Sequence, residues 1–224
     1  MRWSELLEAV GSEPVFESGM LLVGPVDRGD VYRQLTRWTK AGRLIQLRRG
    51  VYAFAGPDAR RLRPPHPYEV ANRLVPGSYV SLSSVLADVG VIPEYVPVTT
   101  SVTTVRPGRF VTPLGTFTYR HVKPALFWGI ETVDVEGGGR AHVALPEKAL
   151  IDLLYLHPDA DDPAYLSELR LQNLDRLRLD VLATMAARAG VPRVARAVER
   201  ITGLAALERD EYRPWTLKAR GSNP

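Results

Sequence analysis

An α+β protein is predicted from three observations. An amphipathic helix followed at once by a short hairpin occupies residues 28–54, a β-branched run of alternating character spans residues 96–144, and helical periodicity returns from residue 146 onward. Val31, Leu35 and Trp38 fall at i, i+4 and i+7, one apolar stripe along a helix whose other side carries Arg33, Thr36, Arg37 and Lys40. Gly42 suits the left-handed position just past its end. Leu44–Leu47 and Val51–Phe54 read as two strands, with Arg48-Arg49-Gly50 as the turn between them.

Charge is concentrated in this stretch. Residues 28–50 hold Arg28, Arg33, Arg37, Lys40, Arg43, Arg48 and Arg49 against one acid, Asp30, for a net charge of +6; the 27 residues before them carry −4. The chain as a whole, 224 residues with a pI near 9.5, is only +4. A basic helix followed by a basic-tipped hairpin is the arrangement that a winged helix-turn-helix presents to double-stranded DNA, the helix in the major groove and the wing on phosphates. Arg33 and Arg37 are placed to read base edges, with Arg28, Thr36 and Arg43 in the same surface and Lys40, Arg48 and Arg49 to neutralise phosphate.

Before this unit, Trp3, Leu6, Leu7 and Val10 predict a first helix, and Val15, Phe16, Met20 and Leu21 a short second one within Pro14–Leu22. Residues 1–56 then make one winged-helix domain. Residues 57–67, rich in proline and arginine, are expected to be a linker or a wrapped connection. Its Arg60, Arg61 and Arg63 are read as a solvated hinge rather than a DNA contact.

The second domain is expected over residues 68–209, strands first and a C-terminal helical bundle last. Helices are predicted at 67–74 and 83–89, and strands at 79–80, 96–105, 110–111 and 116–120. A strand pair at 130–135 and 141–144 is joined by a glycine-rich turn, and helices follow at 146–156, 163–170, 174–189 and 192–203. Pro146 fits the first helical position, Glu147 complements the helix dipole, and Lys148 and Asp152 at i,i+4 read as a surface ion pair. In the last helix Val194, Val198 and Ile201 are the buried face; Arg193, Arg196 and Arg200 form a solvated one. Residues 210–224 read as a loosely ordered tail.

No catalytic constellation emerges, so no enzyme activity and no cofactor are expected. The four histidines (His66, His121, His142 and His157) lack ligand spacing, and there is no cysteine. Asp159, Asp161 and Asp162 lack the glycine and distal glutamate of a calcium loop. Gly137-Gly138-Gly139 joins two strands and is no phosphate cradle, and Ser81, Ser83 and Ser84 have no evident histidine partner. The first residues form no continuous apolar segment of signal-peptide type, and no run approaches a membrane span, so a soluble, cytoplasmic protein without membrane contact is expected.

The order of motifs adds a resemblance. The wing GRLIQLRRGVYAF, the segment YVSLSSVLADVGVI (Tyr79, Ser81, Ser84, Leu86) and the helix VALPEKALIDLLYL (Pro146–Leu153) follow one another as in the AbiEi antitoxins of type IV toxin–antitoxin systems, over roughly residues 5–205. This resemblance implies an autorepressor that binds inverted-repeat operator DNA through its winged helix. It also implies that the C-terminal domain counteracts a nucleotidyltransferase-like toxin without a stable complex. It supplies no catalytic residues. A single winged helix reads a short site, so a monomer in solution, or a dimer or cooperative array on DNA, is expected. The alternative is a stand-alone regulator or protein-interaction module with no toxin partner.

Overall fold

Aromatic packing organises the first sixty residues. The structure, a computed structural model, describes residues 1–59 and 62–211. Helix α1 (Trp3–Val10) buries Leu6 and Val10, and Trp3 meets Trp38 edge-on at 4.9 Å between ring centroids. Helix α2 (Arg28–Lys40) starts where the Asp27 side chain accepts the Asp30 N–H at 3.0 Å, a standard N-cap. Its stripe falls as the periodicity requires, with Val31, Leu35 and Trp38 exposed by 4 % or less. Each such burial contributes about 1.5–3 kcal/mol.

The second helix expected within Pro14–Leu22 is not formed. Val15–Glu17 is a strand, β1, and Ser18–Leu22 a 3-10 turn. The reason is tertiary pairing, which outweighs a weak local preference. β1 pairs with β3 (Val51–Phe54), and β3 with β2 (Leu44–Arg48), giving an antiparallel sheet of order β1-β3-β2. Its register places Phe16, Tyr52, Phe54 and Leu44 on one face, in the core with α1 and α2. Val15, Val51 and Ala53 lie on the other face, in a core shared with Val70, Ala71 and Leu74.

Those last three residues belong to α4 (Pro67–Leu74), which follows a single turn, α3 (Gly56–Ala59). The two units therefore share a core across the sheet. Arg73 bridges to Glu13 at 2.9 Å across the same boundary. Arg63, expected in a solvated hinge, instead forks onto the buried carboxylate of Glu69 with two 2.7 Å bonds. Arg60 and Arg61 lie outside the described residues.

The second unit is a mixed six-stranded sheet in the order β6-β7-β5-β4-β9-β8. In chain order its strands are β4 (Tyr79–Val80), β5 (Val98–Thr103), β6 (Gly108–Thr112), β7 (Gly115–His121), β8 (Ile130–Val135) and β9 (Gly139–Ala144). Helix α5 (Ser83–Asp88) follows β4. The glycine run turns β8 into β9, with Gly137 and Gly138 at φ near +87°. A Cβ at Gly139 would sit 2.7 Å from the Glu69 carboxylate and would displace the Glu69–Arg63 pair.

Helices α6 (Pro146–Leu156), α7 (Pro163–Glu168), α8 (Leu179–Ala189) and α9 (Pro192–Glu211) complete the chain, with α6, α8 and α9 in mutual contact. The helix expected over 174–189 is broken. Residues 174–176 form a 3-10 turn, Leu177 is buried, and the Arg178 N–H leaves the helical ladder to bond Glu147 at 2.9 Å. Asp210 and Glu211, expected in the tail, end α9; residues 212–224 lie outside the described residues. The architecture is mixed α+β, and among the described residues no helix is long and apolar enough to cross a membrane.

Candidate nucleic-acid interface

The exposed face of α2 carries Arg33, Thr36, Arg37 and Lys40, with Tyr32 beside them at 45 % exposure. Packing of Leu35 and Trp38 against the sheet fixes that face outward. Arg33 lies 3.6 Å from Asp30, a loose contact at a mostly exposed side chain. Arg28, Arg37, Lys40 and Arg49 are exposed and have no carboxylate partner among the described residues. The Thr36 hydroxyl donates to the Tyr32 carbonyl at 2.9 Å, so its hydrogen is directed at its own helix and the oxygen lone pairs remain to accept.

Two of the eight expected contact residues point elsewhere. Arg43 lies over the Trp3 indole, 3.6 Å from the ring centroid, a cation–π contact that ties the start of β2 to α1. Arg48 is turned by a bulge. Gln46 pairs with Tyr52 and Arg48 with Val51, so Leu47 is the extra residue in β2. The insertion moves Arg48 onto the sheet face shared with the second unit, while Arg49 at the turn stays exposed.

A second polar site was missed by sequence reasoning. Lys148 and Asp152 are 0 % and 1 % exposed, not a surface pair. The Lys148 ammonium donates to Asp152 and, at 2.9 Å, to the Tyr79 hydroxyl. Tyr79 and Ser81 each donate to the other Asp152 oxygen at 2.8 Å. Burial pushes Asp152 up and Lys148 down from their ordinary pKa values, against their mutual attraction. Trp128 lies over the ammonium at 5.0 Å. The signal was present in the sequence: Tyr79, Ser81, Lys148 and Asp152 all fall in the two motifs YVSLSS and PEKALID, which meet here. All four side chains are sealed from solvent, so this cluster fastens β4 to α6 and offers no surface to a solute.

The remaining expected positions are dispersed. Among the described residues no three histidine or acidic side chains gather as a metal site. Arg193 donates to the carbonyls of Tyr155 and His157, and Arg196 pairs with Asp161 at 2.7 Å, so that face of α9 is tied to the α6–α7 connection.

No protein-family model matches the chain, and no curated protein does either. One solved structure it is similar to is the RV2827C protein from Mycobacterium tuberculosis, with 15 % identity over 87 % of this chain and 79 % of that one, at a TM-score of 0.40.

Proposed function

We propose that residues 1–56 are a winged helix-turn-helix that binds double-stranded DNA, α2 entering the major groove and the β2–β3 turn resting on phosphates. The observation that carries this reading is the outward face of α2. It holds Arg33, Arg37 and Lys40 on a helix whose opposite face is locked into an aromatic core, with Arg49 exposed at the adjoining turn. Rigid presentation matters because base readout requires guanidinium forks held in register with base edges. Arg33 and Arg37 read bases; Arg28, Lys40 and Arg49 position the duplex on its backbone.

The order of the sequence motifs extends the proposal to an AbiEi-type antitoxin. In that reading the chain represses its own operon from inverted repeats, in the cytoplasm, and counteracts a nucleotidyltransferase-like toxin through residues 68–209. It has no catalytic role of its own.

Footprinting on the chain's own upstream region tests the DNA half. Protection of repeated half-sites is expected, weakened in Arg37→Ala. A wild-type chain that leaves that region unprotected overturns the reading. Co-expression with the neighbouring gene product tests the antitoxin half: growth rescue is expected, and undiminished toxicity overturns it.

A further inference from the structure

Between Glu94 and Glu131 the chain has no acidic residue, while Arg106, Arg109, Arg120 and Lys123 all fall there. The packing of β6 beside β2 carries the first of these to the hairpin of the N-terminal unit. Arg48 and Arg106 border one cleft of about 360 Å³, whose other walls include Leu74, Pro76, Pro107 and Phe110. Among the described residues no carboxylate lines it. The Arg48 Nε is shielded from water and has no hydrogen-bond acceptor among the described residues. An N–H left in that state is costly and calls for an acceptor. The bulge at Leu47 is what turns Arg48 here, beside Arg49 on the exposed turn.

We propose that the Arg48–Arg106 cleft is a phosphate-binding site that takes a backbone phosphate of the bound duplex, so that the second unit takes part in gripping DNA. The inference rests on the duplex-binding reading above and deepens it. Guanidinium groups suit a phosphate because their planar forks match its oxygens. The duplex is taken as the source because Arg48, which lines the cleft, is next in the chain to Arg49, exposed at the turn. The phosphate would bridge the units at the point where they touch.

The test measures affinity of the full chain for operator and random duplexes as a function of salt. Arg106→Gln is the main variant, since an exposed turn tolerates the change; Arg48→Gln is the second, checked for an unaltered melting temperature. Each should lower affinity for both duplexes alike and flatten the slope of log K against log salt by about 0.9, one phosphate contact. An Arg106→Gln slope equal to wild type overturns the site while leaving the duplex reading intact. A wild-type chain that binds neither duplex overturns both. Calorimetric titration with inorganic phosphate separates the sources: binding that depends on Arg106, with an unchanged duplex slope, would assign the cleft to a free anion and refute the duplex as its ligand.

Discussion

Lys148 and Asp152 stand one helical turn apart on α6, paired with each other and closed off from water. A pair at this spacing is ordinarily a surface ornament worth about 0.3–0.5 kcal/mol. Here burial reverses the accounting, because a charge stripped of its partner has no water to turn to. Asp152→Ala would leave the ammonium without its counter-charge and the Tyr79 and Ser81 hydroxyls without their acceptor. We expect it to cost about 3–5 kcal/mol in urea unfolding. Lys148→Met combined with Asp152→Leu should cost less than Asp152→Ala alone. A double variant as unstable as the sum of the two singles would show that the charges contribute independently.

Arg33 and Arg37 differ from Arg49 in what their loss should do to DNA binding. Arg37→Ala or Arg33→Ala should cost about 1–3 kcal/mol on the operator and relax base preference at the positions read. Arg49→Ala should weaken every duplex equally and reduce the salt slope by about 0.9. Competition binding against randomised half-sites measures both. The assignment fails if Arg49→Ala alters base preference and Arg37→Ala does not.

Arg43 should behave unlike either. Its guanidinium lies on Trp3, so Arg43→Ala is expected to destabilise the N-terminal unit by about 0.5–2 kcal/mol, the range of a cation–π contact. Its salt slope on duplex should match the wild type. A lower slope with unchanged melting temperature would return Arg43 to the DNA surface.

The contrast between Arg43, Arg48 and their neighbours marks what the sequence could tell. Periodicity located α2 and its outward face because the apolar stripe is local: Val31, Leu35 and Trp38 need only one another to define it. The hairpin and its Gly50 turn were legible for the same reason. The side to which Arg48 points depends on one extra residue opposite Tyr52 and Val51, and no local pattern announces a bulge. β1 was misread because Val15 and Phe16 serve two different cores, one on each face of a strand only three residues long. Lys148 and Asp152 were misread because their spacing is the same on a buried helix as on an exposed one. Their buried partner Tyr79, on β4, lies nearly seventy residues earlier in the chain.

Glu147, beside this pair, gives the fold an acid-sensitive point. Burial alone would raise its pKa, but the Arg178 guanidinium and backbone N–H outweigh burial and hold it below the usual glutamate value. A carboxylate with a depressed folded pKa contributes stability above its unfolded value, about 4.3, and loses it as pH falls through the folded value. Arg178 is 58 % exposed, so solvent screening moderates the gain. Glu147→Gln should therefore lower the urea midpoint at pH 7, by less than the about 1.5–3 kcal/mol of hydrogen bonds to a charged group, because the exposed Arg178 is screened. The gap between variant and wild type should narrow as pH falls below about 4.3 and through the lower folded value, where the native carboxyl also becomes neutral. A gap that stays constant across that range would mean the ionised form of Glu147 adds nothing.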